Sequence, residues 1–142
     1  MLFLGVLCLC CTRPDVEETF VKAGSVKEGG AYPFSVDMAD TLCRYDLSFY
    51  TRLDMRKSRL EKIGALVLEV EWVSPSGTRY GETLKMPVPS TGSFFSTGAV
   101  VPYRTGLFPV EAGKWTLAVR VPDAPEGFRG LGLITSRIDG TR

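Results

Sequence analysis

The feature that most constrains this chain is the period of its apolar residues, which is two rather than 3.6. Tyr32, Phe34, Val36 and Met38 alternate with Pro33, Ser35 and Asp37. Tyr45, Leu47, Phe49, Thr51 and Leu53 alternate with Asp46, Ser48, Tyr50 and Arg52, and Leu66, Leu68, Val70 and Trp72 with Val67, Glu69, Glu71 and Val73. Successive side chains of a strand point to opposite faces, so each run offers one face to a core and one to solvent. Ser74-Pro75-Ser76-Gly77-Thr78 supplies turn residues, and 79–86 returns as the partner strand of a hairpin. Pro87 and Pro89 end it, because proline cannot donate to a ladder. Further strands are expected at 99–103, at 115–121 after a tight turn at 111–114, and at 129–138, where Gly130 and Gly132 mark a bulge or a close approach. Only 55–63 has any helical character, and its charges face most directions, so it reads as a loop or one helical turn. Seven or eight strands with short polar connections make an antiparallel β-sandwich, jelly-roll or immunoglobulin-like.

Composition then removes function classes. The 142 residues are 44% hydrophobic, enough for one domain with its own core. Lys and Arg number 17 against 16 Asp and Glu, which leaves no basic excess to neutralise a nucleic-acid backbone. There is no histidine, so Ser–His–Asp and Cys–His triads and histidine-ligated metals are excluded. Glu69 and Glu71 share a strand face, but that spacing is also ordinary for a solvent-facing strand. Asp37 and Asp40 lack an Asp-rich calcium loop, and Gly29-Gly30 lacks a phosphate-loop context. The reading is a protein with no enzymatic activity, no cofactor and no metal.

The N-terminus carries a second message. The apolar run 2–10 is too short to cross a bilayer, which takes about 20 residues. It matches the apolar core of an export signal. It ends in Cys10-Cys11, and Thr12-Arg13-Pro14-Asp15 follows. That break looks like a bacterial lipoprotein signal, cut before a cysteine that carries lipid. Cys11 is the expected anchor, with the small Cys10 before the cut; Cys10 is the alternative, with the bulkier Leu9 before it. No Lys or Arg precedes the run, so an upstream start is expected to supply a basic leader. The competing reading is a buried apolar strand. The expected organisation is a signal at 1–10, a lipidated cysteine and solvated tether at 11–18, and the sandwich at 19–142. Cleavage before Cys11 leaves Cys43 as the sole free thiol, so no intramolecular disulfide forms.

Two surface constellations are candidates for partner binding. Arg52, Arg56 and Lys57, with Arg59 and Lys62, form the densest basic cluster, offset in part by Asp54 and Glu61. Such a cluster suits a lipid headgroup, an acidic glycan or a partner protein, or is simply a solvated connection. Phe94, Phe95 and Tyr103 lie in or beside a Gly/Ser/Thr loop, where aromatic side chains stack on sugar rings, fill a partner's pocket or fold back over the core. Trp72 and Trp115 fall at inward positions and read as core.

With these residues laid out, the chain resembles the gliding-motility lipoprotein H family of the Bacteroidota. The order of features carries the resemblance. An acidic segment follows the lipoprotein cysteine, then Pro33-Phe34-x-Val36-Asp37, then Tyr45, Leu47 and Arg52 on one strand. A long apolar strand runs into Ser74-Pro75-Ser76-Gly77, with Glu82-Thr83-Leu84 after it. Phe108-Pro109, Gly113, Trp115 and Leu117 precede Gly130-Leu131-Gly132-Leu133. The resemblance spans about residues 16–138; the segment 91–95 lacks the tryptophan of the family's Gly- and Trp-rich stretch. It implies a non-catalytic lipoprotein of the outer membrane that supports gliding or type IX secretion through envelope protein partners. A surface glycan-binding sandwich is the alternative.

Overall fold

Burial follows the alternation read from the sequence. The computed structural model describes residues 15–88 and 97–139. Eight strands form there: β1 (Val16–Lys22), β2 (Tyr32–Met38), β3 (Cys43–Leu53), β4 (Ala65–Val73), β5 (Arg79–Pro87), β6 (Thr97–Leu107), β7 (Gly113–Arg120) and β8 (Phe128–Asp139). Inward residues on β2, β3, β4 and β7 are buried at every second position, from Tyr32, Phe34, Val36 and Met38 through Leu66, Leu68, Val70 and Trp72 to Trp115, Leu117 and Val119.

The strands pair antiparallel in two four-stranded sheets, β1-β8-β3-β6 and β2-β7-β4-β5. Each sheet takes strands from both halves of the chain, so the first strand pairs the last and the second pairs the seventh. That nesting is a jelly roll, which decides between the two sandwich types expected. β1, β6, β2 and β5 are the sheet edges.

Four local readings change. β1 begins at Val16, inside the expected tether 11–18, and Arg137 N–H donates to Asp15 O at 2.7 Å. An edge strand with solvent on most of its surface leaves little hydrophobic pattern to read, and β1 is exposed along nearly its whole length. Residues 55–63 hold a helix, α1 (Lys57–Ile63), of seven residues rather than one turn. It buries only Leu60, so no apolar stripe announced it, and Gly64 closes it at φ 67° with its N–H on Leu60 O. β6 runs well beyond 99–103; Pro102 and Gly106 interrupt its pattern, and an edge strand tolerates both. β8 starts and ends one residue outside 129–138.

The close approach expected at Gly130 and Gly132 is present. A Cβ on Gly130 would lie 2.3 Å from Val21 O and 2.8 Å from the Phe20 ring. Phe20 and Tyr50 meet over these glycines with ring centroids 5.8 Å apart.

The sandwich has two distinct ends. At one, the β1 end, lie the start of β1 and the connections 39–42, 74–78 and 108–112, each of four or five residues. At the other, the helix end, lie 23–31, α1 within 54–64, and 121–127, of seven to eleven residues.

Candidate binding site

Toward the β1 end the free edges of the two sheets, β5 and β6, are tied together. Trp72 on β4 and Trp115 on β7 face inward at 8% and 6% exposure, as core residues, with their rings edge to face at 5.9 Å. Tyr103 on β6 reaches between them and the opposite sheet, 4.8 Å from the Phe49 ring and stacked 6.2 Å from Trp72. Trp72 Nε1–H donates to the Tyr103 hydroxyl at 2.8 Å, and that hydroxyl donates to Glu82 Oε1. Arg104 Nη2 donates to both Glu82 oxygens, at 2.8 and 2.6 Å. Burial, with the Glu82 carboxylate accepting its proton, pushes the Tyr103 phenol well above the ordinary tyrosine range; Trp72 N–H and Arg104 act against that shift.

Above this network opens a cleft of about 250 Å³, lined by Trp72, Tyr80, Arg104, Phe108, Val110 and Trp115 among others. Tyr80 and Phe108 present half-exposed rings. Tyr80 leans on Trp115 at 6.0 Å, the Arg44 guanidinium lies 4.9 Å over Phe108, and Trp115 Nε1–H donates to Glu111 O at 2.9 Å. Rings held from several sides make a stiff surface for a flat, apolar-faced group. Both oxygens of Glu82 are engaged within this network.

The expected site residues separate. Arg52, Arg56 and Lys57 gather at the helix end. Arg52 Nε lies 3.2 Å from Asp54 Oδ1, and Asp54 Oδ2 takes Arg129 Nε at 2.6 Å. Arg56 and Lys57 are exposed at the start of α1. Beside them lies an open groove of about 670 Å³ whose lining includes Lys22, Arg52, Asp54 and Arg129. Tyr103 is not at a loop tip but inside β6, half-buried. Cys11, Phe94 and Phe95 lie outside the described residues.

The weaker candidates are occupied by local structure. Asp37 accepts Ala39 N–H and Asp40 accepts Leu42 N–H, each with a carboxylate oxygen, as turn-making aspartates do. Among the described residues no group of three or more His, Cys, Asp or Glu is placed to hold a metal. Glu71 pairs with Arg79 at 2.9 Å on an exposed strand face.

Tyr80, Glu82, Arg104 and Phe108 were not among the site residues expected from sequence, although Glu82 and Phe108 belong to the motifs that carry the family resemblance. Their signal was faint: Tyr80 and Glu82 share a face of β5, and Arg104 follows Tyr103, but nothing local says that β5 and β6 meet across the sandwich.

No family model matches the chain, and no curated protein matches it. Among solved structures it is similar to TmCBM61, determined in complex with β-1,4-galactotriose, at 12% identity and a TM-score of 0.31, over 88% of this chain and 82% of that one.

Proposed function

We propose that this chain is a non-catalytic interaction module of the cell envelope, held to the outer membrane by lipid on Cys11 and docking a protein partner through its helix end. The observation that carries this reading is polarity along the strands. The chain enters the sandwich at the β1 end, while Arg52, Arg56 and Lys57, with exposed Arg59 and Lys62, stand at the opposite end. An anchored domain of this shape offers its basic end away from the bilayer, where it steers an acidic partner. The resemblance to the gliding-motility lipoprotein H family supports the compartment and the absence of catalysis, and it makes the gliding or type IX secretion apparatus the first place to look for the partner. A photocrosslinker at Lys57 in the full chain, expressed in a host of that kind, captures the same envelope protein repeatedly. Changing Arg52, Arg56 and Lys57 together to Ala abolishes the capture without unfolding the domain. Capture that survives the triple change would sink the docking assignment.

A second reading is favoured by one specific observation, the two half-exposed rings of Tyr80 and Phe108 lining a cleft beside Arg104. Flanking aromatics with a charged group at the rim suit a pyranose, whose C–H face stacks while its hydroxyls bond. Titration against a panel of neutral polysaccharides tests it. Binding lost in Tyr80→Ala and Phe108→Ala supports a surface glycan-binding module; no binding across the panel removes it.

A further inference from the structure

Among the described residues, the large hydrophobic residues left exposed are not scattered. They are Val16, Phe20, Leu42, Tyr80, Val100, Phe108, Val110 and Ile138, and all but Phe20 and Val100 lie toward the β1 end. The two most exposed, Leu42 at 80% and Val110 at 84%, sit in the short connections before β3 and β7. Isolated exposed apolar residues are normal; a set gathered at one end marks a surface that meets something.

Charge at this end is mixed in sign and held in local bonds. Asp15 pairs with Arg137 at 3.3 Å, and Glu111 accepts Ser76 Oγ–H at 2.8 Å. Asp37 and Asp40 accept backbone N–H groups of their own turn. Arg44 lies over Phe108, and exposed Lys114 follows the Val110 connection. The contact this end offers is therefore made by its apolar tips, which fit the headgroup layer of a phospholipid surface.

Geometry selects the same occupant. Val16 is the fifth residue after Cys11, and five residue steps of extended chain span at most roughly 17 Å. Lipid on Cys11 therefore keeps the β1 end close to the bilayer. The helix end lies a whole strand away, about 36 Å for eleven residues at about 3.3 Å each.

We infer that the β1 end is a membrane seat, with Leu42, Phe108 and Val110 resting among the phospholipid headgroups. The inference rests on the lipid-anchor reading of Cys11. Seating also turns the aromatic cleft toward the bilayer, which sets it against the glycan reading.

The test uses the full lipidated chain in vesicles of phosphatidylethanolamine and phosphatidylglycerol with nitroxide on the headgroups. A fluorophore is placed on Val110→Cys in one sample and on Asp123→Cys, exposed at the helix end, in another; Cys43 is buried and stays unlabelled. Quenching several-fold stronger at 110 than at 123, and lost when Leu42→Asp and Phe108→Asp are added to the labelled chain, supports the seat. Equal quenching at both sites, with diacylglyceryl confirmed on Cys11 by mass spectrometry, overturns the seat and leaves the anchor standing. An N-terminal peptide without lipid overturns the anchor reading and the seat with it.

Discussion

The two ends of the sandwich are closed in different ways. At the β1 end the connections are four or five residues long, too short to cover the gap between sheets. The strands fill it themselves, with Trp72, Trp115, Tyr103 and Phe49 meeting across the core. At the helix end the connections are longer, and a charged helix covers the core with a single buried leucine, Leu60. The difference shows how connection length sets surface chemistry. Short turns leave apolar side chains at their tips, whereas long ones have room to hide a few apolar residues and present charge.

The comparison can be broken first at its aromatic side. Trp72→Ala should cost about 3–5 kcal/mol, because it removes a large ring and leaves a cavity beside Tyr103 and Trp115. Urea unfolding measures it, and the slope should stay constant if only the folded state is affected. Leu60→Ala should cost less, about 2–3 kcal/mol, since a short surface helix can settle into the space it vacates. Equal costs would mean that the two ends are sealed alike.

Alkaline titration sharpens the same contrast. Tyr103, Tyr45 and Tyr32 all bind their phenolic proton more tightly when folded, for burial first in each case. Unfolding releases that grip, so stability is flat below the ordinary tyrosine value of 10.0 and falls as pH rises above it. Glu82→Gln should bring the Tyr103 phenol down while leaving Tyr32, at the helix end, unchanged; absorbance near the phenolate band reads both. A Tyr103 phenol unmoved by Glu82→Gln would mean that burial alone holds its proton.

Smaller effects follow on the surface. Arg104→Ala breaks a forked but half-exposed pair with Glu82 and should cost about 0.5–1 kcal/mol, a difference that shrinks as added salt screens the pair in the wild type. The pair Arg56→Ala and Lys57→Ala should leave stability within about 0.5 kcal/mol, because neither side chain is buried. A larger loss would show the helix end to be a structural clasp rather than a displayed surface.

What was legible in the sequence was what repeats locally. The alternation on β2, β3, β4 and β7 picked out the core, because these strands are covered on one face and need a period of two. Edge strands were harder. β1 carries no burial pattern and passed for a tether, and Pro102 hid the length of β6. The cleft was hidden for a different reason. Tyr103 was noticed as an aromatic near a loop, but its partner Glu82 stands on another sheet, 21 residues away in sequence. That pairing is a product of topology, which no local spacing encodes. The basic cluster was legible because it is contiguous; its position opposite the point where the chain enters was not.

The pairing of β1 with β8 also has a consequence in time. Val16 sits opposite Ser136, and Lys22 opposite Gly130, so the first strand waits for the last before it has any neighbour in its sheet. β2 likewise waits for β7. A growing chain of this design can pair β4 with β5 and β3 with β6 early, but it carries β1 and β2 without sheet neighbours until β7 and β8 have been synthesised, and those contacts are of the long-range kind that form slowly. Such a domain closes only after its last two strands have been made.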